Sequence, residues 1–254
     1  MGGGHTHRMH RPGDSPVHRL PAHVKVVALL GFVLVVVATP REQIWAFVAY
    51  GLLLAVVAAV SAVPVGFVLP RMLVEVPFVV FAVLLPLVAT GPRVDVLGVS
   101  LSEPGLWAGW NVLAKGSLGV VASILLAATT EPRALLVGLQ RLRVPALLVE
   151  IASFMVRYVD VVADEMRRMR IARESRGFQA GHLGHVRVLA QAAGALFIRS
   201  YERGERVHVA MLSRGYTGAL PVLNGGGASP AAWRLAAALP VAALAVGVAA
   251  WTLA

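Results

Sequence analysis

The sequence has no cysteine and few charges, and each shortage removes a class of explanation. Without a cysteine in 254 residues, a disulfide framework, a thiolate nucleophile and a cysteine-ligated zinc are all excluded. Aromatic residues make up 7%, too few for the stacking platforms of a single-strand nucleic-acid binder despite an isoelectric point near 11.3. Acids are the scarcer sign, 13 against 23 lysines and arginines. The glycine run Gly225 to Gly227 is not followed by Lys-Ser/Thr, so no Walker phosphate loop is present and the chain is not expected to bind ATP itself. No His-Glu-x-x-His, Ser/His/Asp grouping or pair of membrane carboxylates marks an enzyme. The first twenty residues lack an apolar run and read as a polar leader of cytosolic type, not a cleaved signal peptide.

What remains is largely hydrocarbon. With 57% hydrophobic and 14% charged residues and a mean hydropathy of +0.74, the chain falls in the polytopic membrane class. Apolar segments at 24–38, 44–63, 72–90, 106–129 and 231–253 approach the roughly 20 residues a membrane helix needs. The first is short and is expected to begin nearer Leu20. Between the fourth and fifth lie 14 of the chain's arginines, interleaved with eight acids. That pattern describes salt-bridged amphipathic helices better than a polycation. By the positive-inside rule this segment and the basic leader belong in the cytoplasm, and four intervening spans satisfy that.

The expected fold is therefore all-α, a polytopic membrane protein of about five transmembrane helices with a cytoplasmic domain of three helices inserted before the last span. The layout is a polar tail over 1–19, four spans over 20–130, cytoplasmic helices over 131–216, a Gly-rich loop over 217–230 and the last span over 231–254. The three helices are bounded by Pro132 and Pro145, by Ala146 and Arg176, and by Val186 and Arg214. Leu147, Ile151, Met155, Tyr158, Val162, Met166 and Met169 step by threes and fours along one face of the second.

A short pattern occurs twice, 38 positions apart: Ala172, Ser175, Arg176, Gly177, Phe178 and Ala210, Ser213, Arg214, Gly215, Tyr216. At 100° per residue Arg176 lies near the line of Met169 and Arg214 near that of Val207, each at the end of its helix. Gly177 and Gly215 are placed to supply the left-handed C′ position that stops a helix. One Arg-Gly is an ordinary helix end. Two matching ones at the tips of two long helices read as equivalent docking knobs, because a guanidinium fork suits a carboxylate or phosphate.

These paired Ser-Arg-Gly tips, the "TTEP" after the fourth span, the "LRVP" before Ala146, the early "SPVHRLPAHVKV" and the order of spans resemble the transmembrane T component (EcfT) of energy-coupling factor ABC transporters, in particular the cobalt-type CbiQ family. The family's signature is commonly Ala-Arg-Gly, and serine stands in for alanine at both tips here. The resemblance implies a non-catalytic coupling subunit for cobalt or nickel import in a bacterial plasma membrane. Two ATPase subunits would bind ATP and Mg, each gripping one tip through Ser175, Arg176, Gly177 or Ser213, Arg214, Gly215. A separate substrate-binding membrane subunit of cobalt type would take the ion, leaving this chain without cofactor, metal or nucleic acid. The alternative is a membrane enzyme acting on a lipid or prenyl substrate, suggested by Asp160 and Asp164 sharing a helix face, but Arg157, Arg167 and Arg168 neutralise them.

Other polar residues have simpler readings. His5, His7, His10, His18 and His23 could tempt a metal, but a flexible leader gives no rigid ligand set. Lys115, with Asn111, falls inside the fourth span and is expected to snorkel or serve structurally. Glu75 is expected to pair with Arg71 one turn earlier. The Met155, Met166 and Met169 stripe is expected to be core, or else an adaptable surface for a neighbour.

Overall fold

The computed structural model describes residues 10–96, 99–177, 186–217 and 227–253. Its contacts form two units. One is the described part of Met9–Gly138 and Gly226–Ala254, the other the described part of Leu139–Gly225. The boundary falls inside α6 (Pro132–Arg141).

The first unit begins with α1 (Ala22–Ala38) and α2 (Ile44–Val60). A third span starts as α3 (Val65–Val68), tightens into a 3-10 turn over Leu69–Glu75 and continues as α4 (Val76–Val88). A hairpin of β1 (Arg93–Val96) and β2 (Val99–Ser102) leads into α5 (Glu103–Thr129), and α9 (Pro230–Thr252) closes the chain. The spans Val65–Val88, Glu103–Thr129 and Pro230–Thr252 have 24, 27 and 23 residues, enough to cross a membrane. α1 and α2 have 17 residues each, about 25 Å at helical rise, a little short of the roughly 30 Å hydrocarbon core. α1 starts at Ala22 because Pro21 takes the extended cap position. The outward faces are as oily as the inward ones: Leu34, Val48, Phe81 and Val88 are 68%, 59%, 65% and 76% exposed. Helices apolar all round that still expose such faces belong in lipid. The chain is an all-α membrane protein.

The hairpin is the departure from that class. Between the third and fourth apolar segments the chain is not merely a connecting loop: Arg93 pairs with Ser102, Val94 with Leu101 and Asp95 with Ser100, antiparallel. Its signal is the period-two alternation of valine and leucine with polar residues. The third span also starts earlier than expected, at Val65 instead of Met72. Pro70 lacks an N–H, and the backbone around it takes the tighter turn. At three residues per turn, positions 71 and 75 no longer share a face. Glu75 instead accepts a 2.6 Å bond from Ser117 Oγ of α5. Arg71 lies 3.4 Å above the Phe67 ring and donates to Phe67 O at 2.7 Å.

Small residues set the tightest packing. A Cβ on Gly105 would come 2.7 Å from Leu85 O, and one on Gly109 would come 2.6 Å from Ala82 O. This glycine pair, four residues apart on one face of α5, lets the α4 and α5 backbones touch, the close approach that drives helix association in lipid. The core proper runs through Phe32, Phe47, Tyr50, Leu54, Leu118, Leu125 and Ala243. A buried hydroxyl pair, Tyr50 and Thr39, lies at 2.8 Å, and Thr39 also donates to Val35 O. Satisfying both polar groups internally is what a low-dielectric interior requires.

The second unit holds the end of α6 and two long helices, α7 (Ala146–Glu174) and α8 (Val186–Leu212). Arg143 has φ +60°, and the residue before Pro145 is biased away from helix. Together they separate α6 from α7.

Candidate functional site

Two lysines in the membrane unit end other helices' carbonyl ladders. Lys115 Nζ donates to Val37 O at 2.7 Å, so the intramembrane lysine closes the last turn of α1. Lys25, buried at 7% exposure, donates to Thr129 O at 2.7 Å and Thr130 Oγ1 at 3.2 Å. A cation at the negative end of a helix dipole is stabilised there. The structural reading of Lys115 therefore holds. Lys25 as the clamp on the "TTEP" corner had no sequence signal beyond its place in an apolar run. His18 is also spoken for: Nε2 donates to Arg11 O at 3.1 Å, so Nδ1 accepts from Ser15 Oγ at 2.7 Å. Burial pushes its pKa below the ordinary imidazole value. His5 and His7 lie outside the described residues, among which no group of three or more His, Asp or Glu could hold a metal ion.

In the second unit, α7 and α8 run antiparallel. Arg199 reaches Glu165 across the pair, and Tyr216 Oη donates to Glu150 Oε2 at 2.6 Å. Glu165 also takes Arg168 at 3.0 Å, and these two guanidiniums hold its pKa below the usual carboxylate range. Asp164 has Arg167 at 3.9 Å, as the neutralisation argument expected. The methionine stripe is not core within this chain: Met155 is 66% and Met166 55% exposed. On α8, Phe197 and Tyr201 are 71% and 60% exposed. These apolar side chains are left uncovered within the second unit.

The two repeated motifs have the same local geometry. At the first, Ser175 N donates to Ile171 O, Arg176 N to Arg173 O and Gly177 N to Glu174 O, at 2.9 to 3.1 Å. At the second, Ser213 N donates to Val209 O, Arg214 N to Met211 O and Gly215 N to Leu212 O, each at 3.0 Å. Each serine hydroxyl reaches back to the alanine carbonyl three residues earlier, Ala172 O and Ala210 O, at 3.1 Å. Gly177 has φ +77° and Gly215 φ +84°, the left-handed stop the sequence called for. Tyr216 N to Met211 O, 3.0 Å, completes a Schellman turn at the second tip. Phe178 lies outside the described residues.

One expectation is corrected. The helices were drawn to Arg176 and Arg214, but regular helix ends at Glu174 and Leu212. The bonds to residues three back tighten the last turn, and each arginine sits in that turn. Both are exposed, and no ion pair to either occurs among the described residues. By contrast Arg168, Arg170 and Arg199 are paired with Glu165 or Glu174. The tips stand at opposite ends of the helix pair. Tyr216 is level with Glu150, and the 26 residues from there to Arg176 span about 39 Å of helix.

The family description CbiQ, cobalt transport protein, matches residues 13–223, which takes in both tips. This chain belongs to the CbiQ family. It is 33% identical over 192 residues to the cobalt transport protein CbiQ of Rhodobacter capsulatus, covering 75% of this chain and 72% of that one. It is 28% identical over 221 residues to the energy-coupling factor transporter transmembrane protein EcfT of Bacillus subtilis, 82% and 83% of the two chains. A putative fused cobalt transport protein CbiMQ of Methanocorpusculum labreanum is 26% identical over 228 residues, 83% of this chain but 37% of the longer one. CbiQ membership makes the chain a transmembrane component of a cobalt transport system.

Proposed function

We propose that the chain is the coupling subunit of an ECF-type ABC importer for cobalt or nickel ions in a bacterial plasma membrane, with its N-terminus and α6–α8 on the cytoplasmic side. Arg176 and Arg214 each dock one of two ATPase subunits, and those subunits bind the ATP and Mg. A separate membrane subunit of cobalt type takes the ion, and this chain carries no cofactor and no catalytic residue. The observation that carries the reading is the pair of matching Ser-Arg-Gly turns, each presenting an exposed arginine, at opposite ends of one helix pair. A separation of about 39 Å leaves room for a whole protein at each end, so two copies of one partner can bind without competing. The apolar runs on α7 and α8 supply the remaining surface.

An arginine buried against a carboxylate at an interface is costly to lose on one side, roughly 2 to 5 kcal/mol. Arg176→Ala or Arg214→Ala should each weaken copurification of the ATPase subunits, and the double change should abolish it. Full assembly with transport-coupled hydrolysis in the double variant would sink the docking assignment.

A further inference from the structure

The membrane unit holds a cleft of about 420 Å³ at the end where α1 and α9 begin and α2 and α5 finish. Its walls are almost wholly apolar: Leu29, Leu53, Val57, Leu125, Ala238 and Leu239 among them. It opens on the outer surface between α2 and α9, where Val56, Val60 and Leu235 are 59%, 46% and 52% exposed. In a membrane protein that surface meets hydrocarbon. The volume falls within the roughly 300 to 1,000 Å³ of ordinary ligand sites. An apolar cavity of this kind does not hold water, and left empty its walls forfeit dispersion contacts. A flexible hydrocarbon chain is the occupant that supplies them.

Two arginines adjoin lining residues of the cleft in the chain. Arg19 precedes Leu20 and Arg234 precedes Leu235, both of which line the cleft, and both arginines are exposed. Their chain neighbours meet: Leu20 packs with Val24 and Ala236, and the His23 and Trp233 rings meet edge-on at 5.9 Å. Neither has an ion pair among the described residues. Trp233 beside them has the amphipathic ring typical of the headgroup level. Lys25 adds a third positive charge to the lining, though its protons are committed to His18 O, Thr129 O and Thr130 Oγ1. Basic sites between membrane helices attract anionic headgroups.

We propose that this cleft is a phospholipid site, taking one acyl chain between α2 and α9 with an anionic headgroup held at Arg19 and Arg234. It rests on the membrane placement of the chain alone, and is independent of what docks at Arg176 and Arg214.

The test is native mass spectrometry of the full chain released from nanodiscs of equal phosphatidylglycerol and phosphatidylcholine. The wild type should retain one phosphatidylglycerol. Replacing Arg19 and Arg234 by glutamine should lower that preference by about fivefold per arginine, the effect of one basic residue near an anionic surface. Ala238→Phe, which fills the cleft from an exposed position, should remove the retained lipid, while Val83→Phe on the membrane face of α4 should not. Equal retention by wild type and Ala238→Phe, or no lipid preference in the wild type, overturns the proposal. So does an Ala238→Phe chain that keeps its lipid but loses a transport subunit on copurification, since the cleft would then receive a protein side chain.

Discussion

The glycines that end the two long helices allow a test that separates backbone strain from lost contact. At Gly177 and Gly215 φ is +77° and +84°, and among the described residues no atom beyond the adjoining chain lies within 4 Å of the position a Cβ would take. Any penalty for alanine there is conformational, since nothing is available to collide with. A non-glycine residue held in the left-handed region costs roughly 1 to 2 kcal/mol, whereas asparagine tolerates it far better. If each tip must hold this turn to present its arginine, alanine lowers the fraction of competent tips, and apparent affinity falls in proportion. The expected loss is about 5- to 30-fold in ATPase-subunit binding per site, measured by titration against the detergent-solubilised chain. Asparagine should recover most of it, and the stability of the membrane unit should not change. With about 39 Å between the tips, the two losses should also combine independently at the level of single-site binding. Equal weakening by alanine and asparagine, or no weakening by either, would refute the claim that the left-handed turn aims the arginine.

Three further outcomes follow from the packing. Gly109→Leu must push α4 from α5, since even a Cβ would lie 2.6 Å from Ala82 O; a loss of at least about 1 to 3 kcal/mol is expected from overpacking, read as a lowered thermal transition in detergent. Gly119→Ala, with nothing within 4 Å, should leave that transition unchanged or raise it. Tyr216→Phe removes the bond to Glu150 and should speed hydrogen exchange at residues 213–216. It should weaken docking at Arg214 while sparing Arg176, and unchanged exchange would show that the tip is set by its turn alone.

How far the sequence could be read depended on how local the controlling interaction was. The caps at Gly177 and Gly215 were legible because a glycine after an arginine at a helix end has a short-range cause. The hairpin was harder to read because "RVDVLGVSLS" is short and sits between glycines and prolines, so its period of two has few residues in which to show. Glu75 was assigned to Arg71 on the spacing of an ideal α-helix, and the 3-10 turn around Pro70 removed that spacing and gave the carboxylate to Ser117, 42 residues away. Lys25 and Lys115 were harder still, since their acceptors are carbonyls 104 and 78 residues distant. Backbone acceptors leave no residue-type signature, so no pattern search over side chains could have found them.

The substitution of serine for alanine in both signatures acquires a physical reason from the same local view. The last carbonyls of a helix have no intrahelical donor, and at these exposed tips water would otherwise supply one. Ser175 and Ser213 each give a hydroxyl to such a carbonyl, Ala172 O and Ala210 O. The hydroxyl adds a bond to the turn and leaves the arginine and the glycine as they are, so it can stiffen the tip. That both copies carry the same exchange, with the same bond length of 3.1 Å, argues that the two turns answer to one requirement, which is what two equivalent partners would impose.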